Sequence, residues 1–219
     1  MFKAHSKKFD KINRIFSLRY ILKMDDDIVV DVIRIYQQIL RDDSIANKKI
    51  DSSMFGYIQM GLPVQRSPGW KWALNRNEQQ QDYHPNFLSG WAYVTTPKVA
   101  EKLVKASKNI PLLWIDDVWL TGIIASKIGI QLKSLNLFYT FYKEHIECCL
   151  SNDLFECEFL VGPSEGDTSV IEKFGQHSQI CWKNSLNCKK LKQNESVIKT
   201  CHVSNPYFLP ENNGIGQVL

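Results

Sequence analysis

The sequence predicts an α/β fold, a mixed sheet flanked by helices with an irregular cysteine-bearing extension behind it, and three observations carry that expectation. Short apolar runs alternate with segments of helical period as far as about residue 139. The punctuation suits such alternation, since Pro63 closes one run, Pro97 opens a helix and Gly129 ends another. All six cysteines fall after residue 147, where the periodicity loosens.

Taken in order, Phe9, Ile12, Ile15 and Phe16 share one face of an amphipathic helix with lysines opposite. Tyr20-Ile21-Leu22 is a short apolar run that reads as a buried strand leading into Asp25-Asp26-Asp27. After Asp31, the residues Val32, Ile35, Tyr36, Ile39 and Leu40 repeat with helical period up to the polar stretch Arg41 to Lys49. Met54 to Leu62 reads as a strand, and Gln65 to Gln81, with Trp70 and Trp72, as a long surface loop of the kind that often carries function. Phe87 to Thr95 predicts a glycine-containing turn and strand. Pro97 then opens a helix with Val99, Ala100, Leu103 and Val104 towards the core. A further helix follows Asp116-Asp117 through Leu120, Ile123, Ile124 and Ile128, and Ile130 to Tyr139 reads as extended. Beyond Glu144 few clear elements emerge. Residues 1–145 therefore form the main catalytic-type unit, and 146–219 a crosslinked extension of it.

Composition limits the function. With 219 residues, 44% hydrophobic and 23% charged, the chain can bury one core and is not disordered. No apolar run reaches the roughly 18 residues that span a bilayer, and the basic N-terminus lacks an apolar signal core. The net charge of +4 is spread out; neither Lys3, Lys7, Lys8, Lys11 nor Lys183, Lys189, Lys190, Lys192 interleaves aromatics, so nucleic acid is not an expected partner. Cys148, Cys149, Cys157, Cys181, Cys188 and Cys201 contain no CxxC pair and fit disulfides better than zinc. With the glycosylation sequon Asn194-Glu195-Ser196 they favour an oxidising, secretory compartment.

The chemistry is expected at two acidic clusters. Three consecutive carboxylates at a strand end repel one another unless a cation neutralises them, and in an extended chain Asp25 and Asp27 point to one side while Asp26 points away towards a sugar hydroxyl or the backbone. Such oxygens suit Mn²⁺ or Mg²⁺. A solvated acidic turn is the alternative. In Ile115-Asp116-Asp117-Val118, one aspartate either caps the following helix or serves as a general base.

Three segments, LKMDDDIVV, YHPNFLSGWAYVTTPKVAEKL and WIDDVWLTGIIASKIGI, resemble in order and spacing the motifs of the β-1,3-galactosyltransferase-type hexosyltransferases, glycosyltransferase family 31. The resemblance covers about Tyr20 to Leu135. It implies a GT-A-like fold and inverting transfer of a hexose, galactose first, from a UDP-sugar to a glycan acceptor on a glycoprotein or glycolipid in a β-1,3 link. It further implies a Mn²⁺ (or Mg²⁺) cofactor at Asp25 and Asp27, Asp27 foremost, with Asp26 beside the substrate. Asp117 matches the catalytic base, and Asp116 replaces the usual Glu. Tyr83, Pro85, Gly90 and Tyr93 match the segment lining the donor and acceptor cleft; Trp91 stands where a small residue is common and either tightens the sugar pocket or packs in the core. Trp70 and Trp72 either anchor the loop or stack on an acceptor sugar. A family histidine that helps bind the metal has no clean counterpart, and His145 and His177 read as surface histidines. Members also carry a transmembrane anchor and a nucleotide-binding βαβ segment ahead of the metal motif, so the expectation is an N-terminally truncated chain from the luminal side of the Golgi membrane, joined to the membrane only by an anchor outside this sequence. Two other classes remain: an inactive member acting as a binding or scaffolding partner, and a metal-dependent hydrolase using the same carboxylates.

Overall fold

A computed structural model describes residues 19–45, 50–151, 155–183, 188–192 and 195–204. The expected helix at Phe9 to Phe16, the lysines near it and Asn194 lie outside them. Strands β1 (Ile21–Met24), β3 (Ser53–Gln59), β4 (Phe87–Thr95) and β5 (Gln131–Ser134) form a four-stranded sheet in the order β1-β4-β3-β5. The β1/β4 and β4/β3 pairs are antiparallel and β3/β5 is parallel, so the sheet is mixed, as expected. β2 (Ile28–Val30) leaves that sheet and pairs antiparallel with β6 (Val161–Pro163) from the distant end of the chain.

Neighbouring residues of the strands face opposite sides, and each side is covered. Phe55, Ala92 and Val94 pack with Ile35 and Ile39 of helix α1 (Val32–Ile45), whereas Met54, Leu88 and Tyr93 pack with Val99 and Leu103 of α2 (Pro97–Ser107) and with Ile124. Both helices start from side-chain caps. Asp31 Oδ1 accepts from the Arg34 amide at 2.9 Å, and the Thr96 hydroxyl accepts from the Val99 amide at 3.2 Å just ahead of Pro97.

Several expected boundaries shift. Phe87 to Thr95 is strand throughout, with Gly90 inside it rather than in a turn. Val104 is exposed, because it lies on the outer flank of α2. Extension after Ile130 stops at Ser134, and Asn136–Phe138 forms a turn of 3₁₀-helix. The segment after Asp117 is a π-helix, Val118–Ile124, continuing into α3 (Ala125–Lys127). Thr121 explains the start of that departure: its hydroxyl donates to the Asp117 carbonyl at 2.7 Å, the acceptor a regular α-helix would give to a backbone amide.

The C-terminal region is more regular than its sequence suggested. It contains α4 (Lys143–Leu150), α5 (Thr168–Lys183) and α6 (Val197–Thr200), gathered on a core of Ile146, Cys149, Phe159, Val170 and Phe174. All six cysteines pair, as Cys148–Cys201, Cys149–Cys157 and Cys181–Cys188. The region is tied back to the sheet half: Arg34 of α1 donates to the Cys157 carbonyl at 2.7 Å, and the Asp31 amide donates to the Leu160 carbonyl at 2.7 Å.

Candidate functional site

The three motif segments meet at the β1 end of the sheet. β1 stops at Met24, so Asp25, Asp26 and Asp27 occupy the turn into β2 and not an extended strand. The alternation expected for Asp25 and Asp27 therefore does not apply. Asp25 is placed by its backbone, whose amide donates to the Trp91 carbonyl at 3.0 Å, and by Lys23, whose ammonium sits 2.6 Å from Asp25 Oδ1. The same ammonium donates to the Gly90 carbonyl. Asp26 is exposed. Asp27 is half-buried, and its carbonyl accepts from both the amide (2.8 Å) and the hydroxyl (2.7 Å) of Ser164 in the C-terminal region.

Asp117 stands across from Lys23 with Gly90 between them. Its Oδ1 accepts from the Val118 amide at 2.7 Å, a local cap, while Oδ2 accepts from the Gly90 amide at 3.1 Å, 27 residues away in sequence. The cap reading is thus realised through Oδ1, while Oδ2 ties the same side chain to β4. Gly90 leaves the space between them open: a Cβ there would touch both, 3.4 Å from Asp117 Oδ2 and from Lys23 Nζ. Thr121 locks the arrangement from behind. Its hydroxyl accepts from the Leu88 amide at 2.8 Å, which joins β4 to the turn that carries Asp117. Gly122 lets that turn sit on the segment before β4, since a Cβ would meet Phe87 Cβ at 3.0 Å and Pro85 Cγ at 3.1 Å.

The electrostatics follow from crowding. Burial pushes the Asp117 carboxyl up to about 6, and the neighbouring charge of Asp116 adds to the rise; the Val118 and Gly90 amides and Lys23 pull against it. Tyr93, buried in β4, is pushed up to about 12 by burial and then by Asp116, Asp117 and Asp25, which places its phenol among all three carboxylates. Lys23 also lies 5.9 Å from the Tyr93 ring centre.

Of the residues singled out in sequence, Asp25, Gly90, Tyr93, Asp116 and Asp117 come together. Asp26 and Asp27 share their turn. Pro85 underlies the π-helix, and Tyr83 is exposed, its backbone bridged to Pro63. Trp91 offers the site only its backbone, for its side chain is 3% exposed and packs with Phe55 and Leu160 in the core on the α1 side. Lys23, Thr121 and Ser164 were not singled out. Lys23 could have been, as it precedes the aspartates in their motif; Ser164 carries no local signal, being 137 residues from its partner.

Two histidines correct the sequence reading. His145 and His177 are buried, at 5% and 6% exposure, not on the surface. His145 Nδ1 lies 2.7 Å from the Thr140 hydroxyl and its ring stacks on Phe159. His177 packs between the sulfurs of Cys149 and Cys181. Both are fixed by C-terminal core packing, which helical periodicity in α5 serves and composition alone hides.

Among the described residues, the only cluster of three or more His, Cys, Asp or Glu with ligand atoms within 4.8 Å of one another is Cys149, Cys157 and His177, where the two cysteines are joined to each other. The aspartate turn is therefore no closed cage. Its donor set nonetheless fits a hard divalent ion: Asp25, Asp26 and Asp27 offer carboxylate oxygens, none of the three is fully buried, and Lys23 is paired with Asp25. Ions of that class keep open positions and complete their shell with substrate phosphates.

The family model for Galactosyltransferase matches residues 3–136. Among curated proteins, the chain is 26% identical to human "Beta-1,3-galactosyltransferase 5" over 145 residues, 64% of this chain and 44% of that protein. It is 30% identical to mouse "Beta-1,3-galactosyltransferase 1" over 113 residues, 52% of this chain and 33% of the other. It is also 30% identical to "Beta-1,3-galactosyltransferase bre-2" of Caenorhabditis elegans over 102 residues, 43% and 28% respectively. The match spans less than half the length of each of these relatives.

Proposed function

The chain belongs to the galactosyltransferase family, and on that premise we propose that it carries the metal site and catalytic base of an inverting β-1,3-galactosyltransferase. The donor is UDP-galactose, ahead of UDP-N-acetylglucosamine or UDP-N-acetylgalactosamine, and the acceptor is a hydroxyl of a glycan on a glycoprotein or glycolipid. What supports this most is the meeting of the three motifs through Gly90, which touches Lys23 with its carbonyl and Asp117 with its amide.

In this reading Asp117 takes the proton from the acceptor hydroxyl as that oxygen attacks the anomeric carbon. The bond from that carbon to UDP breaks, UDP leaves with the electron pair, and attack from the opposite face inverts the centre. A carboxyl near 6 is ionised at neutral pH yet more basic than a free aspartate, which suits a general base. Two amide donors hold its oxygens in place, so no reorganisation is needed at the moment of transfer. Asp25 and Asp27 would hold Mn²⁺ or Mg²⁺, which as a Lewis acid offsets the charge growing on UDP. Asp26, exposed beside them, would hydrogen-bond a sugar hydroxyl. Lys23 balances Asp25 and keeps the turn at its distance from β4.

The site of action is the luminal side of the Golgi membrane. Three disulfides belong in an oxidising compartment, and attachment would come from a segment other than the described residues, none of whose helices is long and apolar enough to cross a membrane. The test is transfer by the full-length protein from each UDP-hexose to a broad acceptor panel with Mn²⁺. No transfer by wild type, or transfer unchanged in Asp27→Ala, overturns the proposal.

A further inference from the structure

The surface next to the carboxylate pair carries aromatic rings that this chemistry leaves unused. Trp114, two residues before Asp116, is 47% exposed. It stacks on Trp72, with ring centres 5.6 Å apart and planes within 15°. Lys71 lies over the Trp72 ring, 4.8 Å from its centre. Beneath them Val64, just ahead of the long loop, and Leu74 within it close on Leu113, Ile115 and Val118, with Trp72 packed against the cluster. Trp119 Nε1 donates to the Pro111 carbonyl at 2.8 Å and closes the segment that carries Trp114. Both backbones bearing the stack are therefore anchored, and Trp114 is held against Trp72 with part of its surface facing solvent.

Its position names its occupant. Two residues separate Trp114 from Asp117, so their Cα atoms are at most about 10 Å apart, a distance that a disaccharide spans. One ring face is used by Trp72, and 47% of the residue stays exposed for a ligand to cover. A pyranose presents one face of C–H groups, which carries no charge into a region already rich in carboxylates and meets the electron-rich face of an indole favourably. We propose that Trp114 is an acceptor subsite: its outer face carries the sugar ring adjoining the one whose hydroxyl Asp117 deprotonates. The proposal rests on the reading of Asp117 as the base, and it makes the acceptor at least a disaccharide.

Two measurements test it. In saturation-transfer NMR without donor or metal, N-acetyllactosamine is expected to receive signal from wild type and from Trp114→Phe, and to lose it with Trp114→Ala and with Trp114→Leu, which keeps apolar bulk without a ring. In transfer assays the acceptor KM of Trp114→Leu is expected to rise about tenfold for a disaccharide and less for a monosaccharide, while the KM for UDP-galactose moves less than about twofold. Absence of saturation transfer to wild type, an unchanged acceptor KM, or a rise in the KM for UDP-galactose instead, as stacking of the uracil base would give, overturns the subsite. Saturation transfer that depends on the Trp114 ring in a protein that transfers no sugar supports the subsite and removes the transferase reading alone.

Discussion

From Arg19 to Tyr139 the chain contains no cysteine, and its sheet coheres through strand ladders and two apolar layers, one on each face. From Lys143 onward short helices close on one small core and three crosslinks hold them. The groups proposed to react all belong to the first region. Among the described residues the second adds no carboxylate to them, yet it supplies β6 as the only partner of β2, and Ser164 as a double donor to the Asp27 carbonyl. The difference separates two tasks. The sheet half positions charges against each other at close range, which needs exact backbone approach; the crosslinked half braces one turn from outside, which needs only that its own shape persist.

If that division is right, substitutions in the sheet half change chemistry first and those in the crosslinked half change stability first. The largest effect is expected from Asp117→Asn, which keeps the shape and removes the base: transfer falls by about 10²- to 10⁴-fold with folding retained, measured by kcat and by circular dichroism. The same carboxylate sets the acid limb of wild type. Because its protonated form cannot accept a proton, kcat/KM should fall as pH drops through about 6, a limb absent in the variant. Next comes Gly90→Ala. The added methyl would lie 3.4 Å from Asp117 Oδ2 and Lys23 Nζ, which asks at most a few tenths of an ångström of them, so kcat should drop by only about three- to tenfold, with little loss of melting temperature.

The crosslinked half should respond in the opposite way. Replacing Cys148 and Cys201 by Ser opens the longest closed loop, 53 residues, and should cost about 2–5 kcal/mol by denaturant unfolding. The smallest effect is assigned to Ser164→Ala, which removes the hydroxyl donor and leaves the amide: a rise of a few fold in the Mn²⁺ needed for half-maximal transfer, with the melting temperature nearly unchanged. An equal loss of kcat in the Cys148/Cys201 variant at a temperature where it stays folded would erase the distinction between the halves.

Much of this was legible in the chain. The alternation of apolar runs with helical periods gave the sheet half, and three motifs gave five of the residues that meet at the site. What escaped has physical causes. Gly90 was read into a turn because glycine is common there, whereas its role is the close approach of Lys23 and Asp117 to one strand, visible only once β1, β4 and the π-helix are side by side. Trp91 was open between pocket and core, and only the register of β4 against β1 and β3 decides which side its ring enters. Helix α5 was missed although Val170, Phe174, His177 and Cys181 follow helical spacing, because His and Cys at two of four core positions disguise an apolar face.

The contact between Ser164 and Asp27 spans 137 residues, while Lys23 to Gly90 spans 67 and Gly90 to Asp117 spans 27. Chain closure over such separations comes late in folding, and synthesis proceeds from the N-terminus. A ribosome-bound chain that has emerged through Leu135 can already bring Asp117 to Gly90, but its acidic turn still lacks its brace. Completion of the candidate site thus reports that the chain has been made and closed at least as far as Ser164.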